Sequence, residues 1–276
     1  MRFAICNETF VGWDHVKVCE TAAEVGYTGL EIAPFTLAPR ITDVSAEQRK
    51  QIRREAEKAG LEIIGLHWLL AKTEGLHLNS ADPAVRQRTA EYLIELARCC
   101  RDLGGDLMVF GSPAQRRVPA GATHEQATEW AIDTFRQVAP ALKEHKVTLL
   151  LEPLSPPDAD FMNTAEECVA LLDRLQDTNF ALHLDVKAMT TEPMPRPEVI
   201  RRFAPWTRHF HANDANLRGP GFGEVDFVPI FDALLVSKYR GWVSVEVFDY
   251  TPDPVTIAKD SLRYMRETLA AAQAKR

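Results

Sequence analysis

Four segments in the second half of the chain each end an apolar run with a side chain suited to a divalent metal. They read Val147-Thr148-Leu149-Leu150-Leu151-Glu152, Phe180-Ala181-Leu182-His183-Leu184-Asp185, Thr207-Arg208-His209-Phe210-His211 and Trp242-Val243-Ser244-Val245-Glu246. Each run has the length and composition of a buried strand, and each precedes a polar or proline-containing loop and then a helical pattern. Burying one carboxylate at a strand end is costly unless a cation or hydrogen bonds compensate it. Taken alone, Glu152 fits a structural salt bridge as well as a ligand. Two glutamates, an aspartate and a histidine on four successive strands instead converge on one volume at the mouth of a parallel barrel. Mixed oxygen and imidazole ligation suits Mn2+, Mg2+, Co2+ or Zn2+, and the lack of a cysteine ligand disfavours a structural zinc. The expectation is one divalent metal ion held by Glu152, Asp185, His211 and Glu246, and hence an enzyme.

The elements that must position these groups alternate along the whole chain. Strand patterns fall near 2–7, 29–33, 61–67, 106–111, 147–152, 180–186, 207–212 and 242–248. Helical patterns fall near 14–25, 46–59, 83–103, 124–145, 164–176, 197–203, 227–238 and 254–273. Ser45-Ala46-Glu47-Gln48, Thr123-His124-Glu125-Gln126 and Asn163-Thr164-Ala165-Glu166 have the spacing of capping boxes. Asp82-Pro83 and Asp253-Pro254 pair an N-cap acceptor with a proline at the first helical position. Ala59-Gly60 and Leu103-Gly104-Gly105 read as helix stops. Eight strand–helix repeats predict a single (β/α)8 TIM barrel over residues 1–276, with its site on the C-terminal strand ends. A doubly wound open sheet would want a glycine-rich phosphate turn after the first strand, and Cys6-Asn7-Glu8-Thr9-Phe10 is not one.

Composition narrows the class. A chain of 276 residues at 46% apolar content buries a large core, and no linker or low-complexity stretch divides it. The net charge of −7 argues against a nucleic-acid backbone as partner. No apolar run approaches the ~18 residues that span a bilayer, and the first strand begins at once without a leader pattern. The five cysteines lack CxxC spacing, and four lie in helical patterns. They read as buried reduced thiols of a cytoplasmic protein.

Further residues could serve the same site. His183 and His209 each lie two residues before a proposed ligand, so strand alternation points them into the barrel about one layer deeper. Each is either a satisfied core histidine, favoured for His183, or a partner that orients a ligand from behind, favoured for His209. Lys187 could bring its ammonium to a substrate oxygen or an oxyanion, or be a surface lysine. Arg218, in the loop after His211, is a candidate to bind or polarise substrate. Glu31 and His67-Trp68 close the second and third strands. An aromatic beside polar groups suits a sugar face, although Trp68 suits core packing equally. Gly219-Pro220-Gly221-Phe222-Gly223 reads as a tight turn, not a dinucleotide loop.

Gly29-Leu30-Glu31, Leu151-Glu152-Pro153, Leu184-Asp185, His209-Phe210-His211, Val245-Glu246 and Gly221-Phe222-Gly223-Glu224-Val225-Asp226-Phe227 together carry a resemblance. Over essentially its whole length the chain resembles the sugar phosphate isomerase/epimerase family. These xylose-isomerase-like TIM barrels include ketose 3-epimerases, inosose isomerases and dehydratases, and hydroxypyruvate isomerase. The resemblance implies that Glu152, Asp185, His211 and Glu246 bind the metal and that Glu152 and Glu246 double as acid and base. It also implies a small keto-sugar or cyclitol substrate, and the homodimers or homotetramers common in the family. Ketose 3-epimerases carry a substrate-contacting histidine shortly after the metal aspartate. Asp185-Val186-Lys187-Ala188-Met189 has none, which leaves room for another carbonyl substrate with Lys187 as the replacement contact.

The implied chemistry is proton abstraction beside a carbonyl. A metal that holds the carbonyl oxygen and a neighbouring hydroxyl would stabilise the enediolate. One glutamate takes the carbon-bound proton and the opposite one returns a proton. Return to the same carbon gives an epimer and return to its neighbour an isomer, whereas loss of a β-substituent from an inosose or 3-keto-sugar makes a lyase. Two rivals remain. An abasic-site endonuclease would need a three-metal cluster, of which Glu31 and His67 could supply two ligands, and a basic rim. A non-catalytic carbohydrate-binding barrel would have no reason to keep all four ligands.

Overall fold

The computed structural model describes residues 1–276. Its strands are β1 (Arg2–Cys6), β2 (Gly29–Ile32), β3 (Glu62–Leu66), β4 (Leu107–Phe110), β5 (Thr148–Leu151), β6 (Phe180–Asp185), β7 (Thr207–Ala212) and β8 (Trp242–Val245). Its helices are α1 (His15–Val25), α2 (Ala46–Ala59), α3 (Pro83–Leu103), α4 (His124–His145), α5 (Ala165–Leu175), α6 (Arg196–Phe203), α7 (Phe227–Val236) and α8 (Pro254–Ala274). The strands pair in parallel, in sequence order, and β8 closes on β1 to complete the barrel. The TIM-barrel expectation is met. The largest discrepancy in a strand is at β8, which ends at Val245, so that Glu246 and Phe248 stand on the loop beyond it.

Local chemistry explains most helix boundaries. Ser45 with Gln48 and Thr123 with Gln126 form the reciprocal capping boxes that their spacing predicts. Asp82 and Asp253 cap α3 and α8 ahead of their prolines. The third box is displaced by one residue. Thr164, not Asn163, caps α5 by accepting from the Glu167 N–H. The Asn163 side-chain amide is already committed to the Leu154 and Ala159 carbonyls, which ties down the preceding loop.

The main core of 68 buried residues lies between the barrel and its coat of helices. A separate cluster of seven, including Ile64, Leu107, Leu150 and Trp242, is drawn only from strands and fills part of the interior. Where that apolar plug stops, the interior turns polar, with His183, His209 and His211 all fully buried. Barrel closure also requires small residues at close approaches. β3 and β4 pair at Gly65↔Leu107 and Leu66↔Met108. A Cβ on Gly65 would lie 2.2 Å from the Leu107 carbonyl oxygen, which is backbone and cannot swing aside. Gly65→Ala is therefore expected to destabilise the barrel by about 1–3 kcal/mol or more, read by urea unfolding. A variant as stable as the parent would mean that β3 and β4 separate without cost.

Candidate active site

Glu152 follows β5 directly, Asp185 ends β6, His211 is the penultimate residue of β7, and Glu246 follows β8. β6 and β7 are aligned so that His183 faces His209 and Asp185 faces His211. Two-residue alternation then sends both pairs inward at two depths. One donor atom from each of Glu152, Asp185, His211 and Glu246 lies within 4.8 Å of the other three. All four residues are buried.

Three carboxylates in so small a volume disturb one another. Burial, and then the charges of Glu246 and Asp185, hold the Glu152 carboxyl well above the usual carboxylate range. Burial and the Glu246 charge push Asp185 up to about 6. Burial would also raise Glu246, but His211 beside it outweighs that effect and brings it below its ordinary value. His211 Nδ1 lies 3.1 Å from Glu246 Oε2, and the Trp68 indole N–H donates to Glu246 Oε1 at 2.6 Å. Asp185 accepts from the Asn213 amide at 2.6 Å and from the Ala188 backbone N–H at 2.7 Å. Space for Glu152 comes from Gly111, where a Cβ would lie 1.9 Å from Glu152 Oε2. The donor set and its uncompensated negative charge fit a divalent cation.

A cavity of about 420 Å³ opens over this group, with His67, Trp68, Lys187, Glu152, Asp185 and Glu246 in its wall. Another, at the opposite end of the barrel beside Arg2 and Trp242, contains none of the four donors. Lys187 faces the first cavity but is not free, because its ammonium pairs with Asp158. His67 hydrogen-bonds Glu8 at 2.7 Å.

Three expectations need correction. Glu31 does not line the cavity. Its carboxylate is under the site, where it accepts from His209 Nε2 at 2.9 Å and His211 Nε2 at 3.1 Å. It faces the four-donor group from behind, with both oxygens engaged by histidine nitrogens. Arg218 also stays outside the lining, since its guanidinium is drawn to Asp249 at 2.9 Å. His183 is buried but not satisfied. No protein group hydrogen-bonds either ring nitrogen; imidazoles of His211 and His209 pack against the ring with centroids 4.1 and 5.1 Å away, and its Nε2 lies 3.9 Å from Glu152 Oε1. His209 lies beneath the four-donor group and is linked to His211 through Glu31. Burial works against a charged ring, but Glu31 on one side of His211 and Glu246 on the other raise its proton affinity well above the ordinary imidazole value, so without a cation the ring donates to both. A cation at Nδ1 would leave the hydrogen on Nε2, facing Glu31.

Four contributors escaped the sequence reading. Asn213 lies two residues beyond His211, so alternation would have found it. Glu8 sits in the polar stretch after β1, at the correct end of the barrel. Asp158 stands on a loop with no periodic signal, whereas Phe248 lies two residues beyond Glu246 inside the strand pattern read over 242–248, so alternation would have found it.

The xylose isomerase-like TIM barrel model matches residues 19–268. The chain belongs to that family. An L-ribulose 3-epimerase of Mesorhizobium japonicum is 32% identical over 177 residues, which cover 62% of this chain and 58% of that relative. A D-psicose 3-epimerase of Ruminiclostridium cellulolyticum is 26% identical over 239 residues, covering 85% of this chain and 78% of the relative. A solved structure of L-ribulose 3-epimerase superposes with a TM-score of 0.88 at 23% identity, covering 99% and 96% of the two chains. The resemblance to sugar isomerases and epimerases read from the short motifs is therefore met within this family.

Glu152, Asp185 and His211 all hold protons more tightly than usual, which has a measurable consequence. A carboxyl whose proton is held up to about 6 must lose it before it can ligate, so cation binding to metal-free protein should release protons below that pH. Affinity should fall as pH drops through about 6, by roughly tenfold per unit for each proton displaced. Calorimetry in two buffers of different ionisation enthalpy reads the release. Equal heats and a flat affinity between about pH 5 and 7 would show that Asp185 and Glu152 are already ionised.

Proposed function

We propose that the chain is a divalent-metal-dependent isomerase or epimerase of a keto-sugar or cyclitol, acting by proton abstraction beside the carbonyl. The observation that carries this reading is the placement of the two glutamates. Glu152 follows β5 and Glu246 follows β8, with β6 and β7 between them, so they approach the shared donor group from separated directions. A sugar carbon lying between them presents one face to each. Glu246 would take the proton from one face and Glu152 would deliver one from the other, or the roles would reverse with the opposite epimer as substrate. A cation among Glu152, Asp185, His211 and Glu246 would supply positive charge for the oxygen that becomes enolate.

The rest of the reading follows from the chain's own groups. Trp68 and His211 hold the Glu246 carboxylate in place, while Asn213 and the Ala188 N–H hold Asp185. The Lys187–Asp158 ion pair in the cavity wall would offer its remaining donors and acceptors to substrate hydroxyls. Matched relatives named for L-ribulose and D-psicose favour a ketose over an inosose. They also favour epimerisation over elimination, which the same carboxylates would otherwise serve. All five cysteines are buried and unpaired, which supports a cytoplasmic setting.

Glu152→Gln and Glu246→Gln separate the two roles of each glutamate. An amide oxygen can still ligate but cannot shuttle a proton. Each variant should therefore keep more of its metal, by elemental analysis, than of its activity, which should fall ~10²–10⁴-fold. His211→Ala should lose the metal itself. Turnover of either glutamine variant within about tenfold of the parent would remove that glutamate as acid or base.

A further inference from the structure

The cavity above the four donors has a neighbour. A second cavity of about 500 Å³ lies toward β1 and β2, and Trp68 and Lys72 line both. Its surface is rich in aromatic rings, with Phe10, Trp13, Phe35 and Tyr250 beside Trp68. Trp68 is the common wall. It adopts left-handed backbone at φ 53°, a strained conformation for a bulky side chain, and Lys72 does the same at φ 61°. The indole is fixed on three sides, by its bond to Glu246, by Phe35 with centroids 5.8 Å apart, and by Phe248 at 6.0 Å in a stacked pose. A second link joins the cavities, since Glu8 lines the outer one and bonds His67 in the wall of the inner one.

We infer that the outer cavity is a binding subsite for a second ring carried by the substrate. The reacting keto-sugar occupies the inner cavity, and its substituent lies against the aromatic surface beyond Trp68. This inference rests on the function proposed above and narrows its substrate class to conjugates of a keto-sugar. A free monosaccharide over the four donors leaves the outer cavity unfilled. Aromatic walls pack against the C–H face of a pyranose and, offset-stacked or edge-to-face, against an aryl ring. Because one indole both walls the subsite and bonds Glu246, a ring bound there presses on the side chain that holds that carboxylate. Contacts remote from the reacting carbon can in this way contribute to the chemical step.

The test compares binding of three unreactive probes to the metal-loaded protein by calorimetry. Phenyl β-D-glucopyranoside carries an aryl ring, cellobiose a second sugar, and methyl β-D-glucopyranoside neither. At least one ring-bearing probe should bind about tenfold or more tighter than the methyl glucoside, and which one does so identifies the ring. Trp13→Ala, which strips the outer wall, and Leu37→Trp, which fills the cavity, should each erase that advantage with metal content unchanged. Both variants should still turn over free D-fructose or D-psicose as the parent does. Equal binding of all three probes, or an advantage that survives both substitutions, would overturn the subsite even if the free ketoses react. A ring preference abolished by both variants, in a protein that converts no keto-sugar, would instead keep the subsite and remove the proposed reaction.

Discussion

Glu152, Asp185 and Glu246 bring three carboxylates within a few ångströms of one another, out of water. Two like charges about 4 Å apart repel by roughly 4 kcal/mol at the effective dielectric typical of proteins. The surroundings are arranged against that repulsion. His211 lies against Glu246, the Trp68 N–H takes its other oxygen, and the Asn213 amide with the Ala188 N–H takes both oxygens of Asp185. Glu152 has no comparable donor, and burial with the charges of Glu246 and Asp185 holds its carboxyl well above the usual carboxylate range. A cation at the centre would answer all three charges together, which is why the chemistry of this barrel is read from that point outward.

The barrel supplies the geometry that makes such crowding possible. Parallel strands in sequence order place four consecutive strand ends side by side, and the β6–β7 register sets Asp185 against His211 with His183 against His209 below. That deeper layer changes how the ligand layer is held. Glu31 rises from β2 to meet His209 and His211, so the ring of His211 is fixed from beneath before anything binds above. Small residues complete the fit, with Gly111 leaving room for the Glu152 carboxylate and Gly65 letting two strands close.

The fold and the convergence of four polar groups at one end of it were legible in the sequence because both rest on periodicity. Strand-length apolar runs ending in Glu152, Asp185, His211 and Glu246 announce inward-facing positions at one end of a barrel, and the helix caps mark most boundaries between them. Loop geometry and pairing were less legible. Arg218 looked free to meet substrate until the fold brought Asp249 beside it from the loop after β8. Glu31 looked like a rim residue because its strand position was visible but its two histidine partners on β7 were not. Asp158, from a proline-rich loop, meets Lys187 only through the folded β5 and β6 connections. The Asn163 cap failed for a similar reason, as its amide is used by a loop that no local pattern reveals.

Solvent exchange at carbon tests the central claim most directly. Metal-loaded protein is incubated in heavy water with a panel of ketoses, inososes and 3-keto-sugars, and proton NMR follows the hydrogen on the carbon beside each carbonyl. A carboxylate base that shares its proton with water must let deuterium into that position, so the account expects uptake that depends on both metal and Glu246. Conversion of a panel member with the carbon-bound hydrogen fully retained, passed directly to the neighbouring carbon as hydride, would contradict it.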